Sequence, residues 1–117
     1  MSGEVSYHAG RHAEESVARE YARRGFRVIG RRWRGAGGEI DLIVRDGGGL
    51  IFVEVKRGRS FARAAARVSD RQVARIFSAA SEFVAGEPQG QLTRMRFDVA
   101  LVDGDGRIEI MESALAA

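Results

Sequence analysis

Three residues stand out for the chemistry they could do together: Asp41, Glu54 and Lys56. They are carried by the runs Gly38-Glu39-Ile40-Asp41-Leu42-Ile43 and Phe52-Val53-Glu54-Val55-Lys56-Arg57. Two carboxylates held close together repel each other, which raises a pKa or calls for a cation between them. A hard divalent ion meets that demand with oxygen ligands, and Mg²⁺ commonly takes one or two carboxylates and completes its shell with water and substrate phosphate. An ammonium beside the pair can orient or deprotonate a water, or stabilise charge developing on a phosphate. Lys56 is also the only lysine among 19 basic residues; the other 18 are arginines. Lysine is a compact, rotatable charge and arginine a fixed planar fork, so position 56 escapes an otherwise uniform bias. The plainer reading of the same residues is a cross-strand Glu39–Lys56 salt bridge, with Asp41 and Glu54 merely solvated.

A β-hairpin must position these groups. Side chains alternate faces along a strand, so Ile40, Leu42 and Val44 are expected on one face of the first arm, and Glu39, Asp41, Ile43 and Arg45 on the other. In the second arm Ile51, Val53 and Val55 share a face, opposite Leu50, Phe52, Glu54 and Lys56. One face is wholly aliphatic, while the other is apolar near the turn and charged at the far end. A loop of two residues (Gly47, Gly48) or of four (Asp46 to Gly49) gives the same register. Asp41 then lies across from Glu54, and Glu39 across from Lys56, with Cβ atoms roughly 4.5–5.5 Å apart. An odd loop would expose the aliphatic face.

Around the hairpin, a helix is predicted from Tyr7 to Arg24, closed by Gly25 at C′, and a strand from Phe26 to Trp33. The hairpin strands are Glu39–Arg45 and Leu50–Lys56. A second helix runs from Ser69 to Ala85, opened by a Ser69/Gln72 capping box and burying Val73, Ile76, Phe77, Ala80 and Val84. Two last strands, Met95–Val102 and Arg107–Met111, are joined by a tight turn over Asp103–Gly106. The order αβββαββ is that of an α/β protein whose mixed sheet is flanked by helices. Glu14 falls on the buried stripe of the first helix with Val17, Ala18 and Tyr21. A carboxylate there needs a partner, either the metal site or an arginine.

The 117 residues suit one domain, 1–117, with a single core. No apolar run is long enough to span a bilayer, and Met1 to Gly10 lacks the pattern of a secretory signal. The absence of cysteine excludes disulfides and thiolate metal sites and is compatible with a reducing cytoplasm, where the protein is expected. A net charge of +3 says little about partners by itself; its distribution says more. Arg63, Arg67, Arg71 and Arg75 recur every four residues and would form one cationic edge if their segment were helical. Arg57 and Arg59 follow Lys56, and Arg31, Arg32 and Arg34 precede the glycine-rich turn. These groups could hold phosphates without reading bases, although a solvated helix face is the commoner meaning of such a ladder. Gly58 to Val68, rich in Arg and Ala, reads as a segment that orders on binding. Trp33 fits core or edge packing better than base stacking. His8 and His12 have zinc-compatible spacing but no third ligand, and Asp98 is expected to pair with an arginine such as Arg96.

With Gly10 and Glu14 upstream and Arg96-Phe97-Asp98-Val99 downstream, the two hairpin blocks resemble the YraN-like family of bacterial proteins. That family is regarded as a relative of the archaeal Holliday-junction resolvases in the PD-(D/E)xK nuclease superfamily. The resemblance covers nearly the whole chain. It implies a restriction-endonuclease-like αβββαβ core, with Asp41 and Glu54 as ligands of Mg²⁺ or Mn²⁺ and the Val55 carbonyl often a third. Lys56 would be the catalytic lysine and Glu14 an assisting helix-borne glutamate. It further implies phosphodiester hydrolysis in nucleic acid, DNA above all, and by analogy with resolvases a homodimer as one assembly to test. Family members commonly carry a lysine where this chain has Gln72 beside Arg71, and an asparagine near Gly30-Arg31-Arg32-Trp33. Two other readings stay open: a non-catalytic nucleic-acid-binding module, and a protein-interaction domain whose carboxylates are structural.

Overall fold

The hairpin at the centre of the sheet forms because its glycine turn and its two apolar faces agree on one register. Strands β2 (Glu39–Asp46) and β3 (Gly49–Arg57) are joined by Gly47 and Gly48. Gly47 has φ +59, the left-handed conformation that a type II′ turn requires at its first central position. Pairing runs from Asp46–Gly49 to Leu42–Val53, the register expected from the sequence. The computed structural model describes residues 3–115, with side chains from residue 9, so the His8 side chain lies outside the described residues.

Five strands form one mixed sheet in the order β1-β2-β3-β4-β5. Strand β1 (Arg27–Arg34) pairs antiparallel to β2, β4 (Met95–Val102) parallel to β3, and β5 (Ile108–Met111) antiparallel to β4. The parallel β3–β4 step needs a crossover, which is supplied by helices α2 (Phe61–Ala65) and α3 (Asp70–Val84). Helix α1 (Gly3–Arg23) covers the opposite face, placing Ala13, Val17, Ala18 and Tyr21 on Leu42, Val44, Ile51 and Val53. It ends at Gly25, φ +94, where the Phe26 N–H bonds the Tyr21 carbonyl, the glycine C-cap that the sequence predicted. Helix α3 seals the other face with Ala79, Ala80 and Val84 on Ile43, Leu50 and Phe52. Trp33 packs there edge-on to Phe83 at 5.4 Å.

Buried Asp98 ties α1, β4 and the C-terminal segment together. It accepts from Tyr21 Oη at 2.7 Å, from the Arg96 guanidinium at 2.9 and 3.0 Å, and from the Ser113 N–H at 3.0 Å. Arg96 was the expected partner; Tyr21 lies 77 residues away and left no local signal. A buried carboxylate satisfied in this way stabilises, whereas an orphaned one would cost several kcal/mol.

Four expectations need correction. Ile40 does not share a face with Leu42 and Val44; it joins the α3-side cluster with Ile43, so the alternation slips at Asp41. Gly58 to Val68 contains α2, which is capped by Ser60 and buries Ala64 completely. The arginine ladder is therefore not one edge: Arg63 lies on α2 and Arg71 and Arg75 on α3, with the Ser69 cap between them. Only half of the capping box forms, because Ser69 Oγ accepts from Gln72 N while the Gln72 side chain turns elsewhere.

The turn between β1 and β2 lies directly on α3. A Cβ on Gly38 would stand 2.6 Å from the Arg75 carbonyl oxygen, and a backbone atom cannot swing aside. Gly38→Ala is therefore expected to lower stability by about 1–3 kcal/mol, as read from urea unfolding. The same change at Gly48, which a Cβ would leave in open space, is expected to shift the midpoint far less.

Candidate functional site

The site lies where β2 leaves β3. In the hydrogen-bonding alternation of the hairpin the next rung would join Ile40 to Val55, but pairing stops at Leu42–Val53. Asp41 Oδ2 accepts the Val55 N–H instead, at 2.8 Å. A residue's N–H and C=O project to the same edge of a strand, so the Val55 carbonyl faces the side that β2 has vacated. A cleft of about 690 Å³ opens there, lined by Glu14, Glu39, Asp41, Glu54, Val55 and Lys56 from α1 and the hairpin, and by Ser69, Arg71, Gln72, Arg75 and Ile76 from the start of α3.

Glu54 is only 6% exposed. Its Oε1 receives Lys56 Nζ at 3.1 Å and Gln72 Nε2 at 3.3 Å, and it lines the same cleft as Asp41. Burial, then the Glu54 charge and, more weakly, Glu14, push Asp41 from an ordinary 3.8 up to about 8 against the lowering effect of the Val55 N–H. Burial also pushes Glu54 up, with Glu14 adding to it, although the Lys56 ammonium pulls it down. Both carboxyls are thus harder to ionise than usual, a condition that a cation between them would relieve.

Glu39 does not reach Lys56; it pairs with Arg34 at 3.1 Å. The plainer reading, a Glu39–Lys56 bridge, is therefore not what forms. Glu14 borders the cleft but is held by Arg32 Nε at 2.8 Å, the arginine partner that the sequence left open. Among the described residues no three His, Asp or Glu side chains are placed to hold a metal ion by themselves. The donor set still fits a hard ion that takes two carboxylates, a carbonyl and water: Asp41, Glu54 and Val55 line one cleft, and the two carboxyls are harder to ionise there than usual, which a cation would relieve. Of the arginines, Arg71 and Arg75 line the cleft, whereas Arg57, Arg59, Arg63 and Arg67 do not; Arg67 bonds the Arg57 carbonyl at 3.2 Å. Gln72 was missed as a site residue because Ser69-x-x-Gln72 also reads as a cap, and only the packing of α3 over β3 aims it at Glu54.

Fold and cleft together define a mixed-sheet α/β protein with a paired-carboxylate and lysine site at the split end of its central hairpin. Residues 13–102 match the uncharacterised protein family UPF0102, and the chain belongs to that family. It is 67% identical to a UPF0102 protein of Cereibacter sphaeroides over all 117 residues of both chains. A Ruegeria pomeroyi member is 59% identical over 112 residues, 96% of this chain and 91% of its own. One from Dinoroseobacter shibae is 47% identical over 103 residues, 88% and 77% of the two chains. Among the described residues no helix is long and apolar enough to cross a membrane.

The raised carboxyl gives a signed pH dependence. Between 3.8 and about 8 the folded protein holds a proton that the unfolded chain has lost. Stability from this site therefore falls as pH rises, by up to about 1.4 kcal/mol per unit for one proton. In EDTA, Asp41→Asn is expected to melt higher than wild type, with an advantage that widens from pH 5 to pH 8. An advantage that did not change with pH would contradict the raised Asp41 pKa.

Proposed function

We propose that this protein is a single-domain, Mg²⁺- or Mn²⁺-dependent endonuclease of the PD-(D/E)xK type that hydrolyses phosphodiester bonds in DNA, branched or otherwise structured. The observation that carries the reading is the Asp41–Glu54 pair, with Glu54 buried, Asp41 half-buried and Lys56 on Glu54, in a cleft bordered by Arg71 and Arg75. A charge arrangement this unfavourable in isolation is understandable if it serves a ligand. With the five-residue α2 set aside as an insertion before α3, the order α1-β1-β2-β3-α3-β4 agrees with the αβββαβ core of such enzymes.

In this reading Asp41, Glu54 and the Val55 carbonyl hold the cation, which when bound neutralises charge building on the phosphoryl oxygens. Lys56 presents its ammonium to the scissile phosphate and orients the attacking water, and its contact with Glu54 fixes where that charge lies. Gln72 holds Glu54 Oε1 from the α3 side. Arg71 and Arg75 engage flanking phosphates and position the backbone without reading sequence.

Cleavage of labelled branched and linear DNA with Mn²⁺ or Mg²⁺ tests this directly. Wild type is expected to cut, and Asp41→Asn and Lys56→Ala each to lose roughly 100-fold or more in rate. Cleavage persisting in both variants would mark a contaminant and remove the catalytic claim. Salt-sensitive binding without cleavage in all three proteins would favour the binding-module reading. For the groove, Arg71→Ala and Arg75→Ala are each expected to reduce the salt dependence of DNA affinity by about one phosphate contact. Arg63→Ala should leave it near wild type.

A further inference from the structure

Both strands of the β1–β2 pair lose regularity at one rung. Arg31 pairs with Leu42 and Trp33 with Ile40, so Arg32 occupies the position facing Asp41, where the alternation of β2 slips. Arg32 has φ +50, left-handed backbone that a residue with a long side chain seldom adopts. Strain of this kind persists where the surroundings fix it, and it gathers at functional sites. At this rung the guanidinium meets α1: Arg32 Nε donates to Glu14 Oε1 at 2.8 Å, with both side chains partly shielded from solvent.

Glu14 borders the same cleft as Asp41 and Glu54, yet it is not placed as a third carboxylate around a cation. The contact that accounts for this placement is the one with Arg32. We propose, resting on the metal-site reading above, that Arg32 is a positioning residue that withholds Glu14 from the cation and so sets how many carboxylates the site presents. With the latch closed, the free protein offers two carboxylates and a carbonyl. With the Arg32–Glu14 pair broken, Glu14 turns into the cleft as a third anionic ligand. Arg32 acts through Glu14 and does not touch the cation.

Mn²⁺ binding measured by calorimetry on the full chain, without nucleic acid, tests the latch. Arg32→Asn removes the guanidinium and accepts the left-handed backbone; Arg32→Gly serves if the Asn protein fails to fold. The open variant is expected to bind Mn²⁺ about tenfold more tightly, the usual scale for changing a group that orients a ligand. Arg32→Lys, which keeps a cation for Glu14, should stay near wild type. The decisive comparison is Arg32→Asn with Glu14→Gln, where the gain should vanish. A gain that survives Glu14→Gln would mean simple removal of a nearby positive charge, and would overturn the proposal. Unchanged or weaker binding by Arg32→Asn would overturn it as well. If wild type binds no Mn²⁺ that Asp41→Asn abolishes, the metal-site reading itself fails and takes the latch with it. Wild-type binding together with an unresponsive Arg32→Asn removes the latch alone.

Discussion

At the split end of the hairpin a side-chain carboxylate stands in for a main-chain carbonyl. Asp41 Oδ2 takes the Val55 N–H that the continuing ladder would have used, and this one substitution lets β2 leave β3 without stranding a buried donor. Much follows from it. The gap becomes a cleft, the Val55 carbonyl is turned toward it, and Asp41 is fixed in the same cleft as Glu54, whose charge raises its pKa. The hydrogen bond that closes the end of the β2–β3 pairing thus also creates the crowded carboxyl site.

Holding two carboxyls this close is unfavourable, so the surrounding structure must supply the restraint. Apolar layers on both faces of the hairpin provide it: α1 clamps Leu42, Val44, Ile51 and Val53, and α3 clamps Ile43, Leu50 and Phe52. The glycine turn lets α3 approach until the Gly38 position nearly touches its backbone, which brings Gln72, Arg71 and Arg75 to the cleft. The Asp98 network binds α1 to β4 on the far side of β3. A rigid scaffold of this kind can carry an unfavourable charge constellation that a looser one would relax by moving the groups apart.

Charge is arranged around the cleft in pairs. Lys56 leans on Glu54, Arg32 on Glu14 and Arg34 on Glu39, so each carboxylate near the mouth has a cation against it except Asp41, whose oxygen is committed to a backbone N–H. Burial first, and then the neighbouring Glu54 charge, raise the Asp41 pKa. The arginines on either side of Ser69 divide by place. The α3 pair faces the cleft, and the α2 side braces the sheet end, with Ala64 buried beneath it.

The sequence determined the hairpin and its register, the helix ends at Gly25 and Ser69, and the grouping of Asp41, Glu54 and Lys56 at one end. These follow from side-chain period, turn chemistry and capping, all of which act within a few residues. It also determined that Glu14 needed a partner and that Asp98 would meet Arg96. Only the tertiary structure decided that Glu14 goes to Arg32, that Gln72 leaves its cap for Glu54, and that the arginine ladder breaks at Ser69. The same holds for Tyr21 closing on Asp98 and for Ile40 crossing to the α3 face. Each of these choices depends on which surfaces meet once α1 and α3 pack on opposite sides of the sheet. Local pattern can state that a buried polar group must be satisfied, but distance in space selects the group that satisfies it.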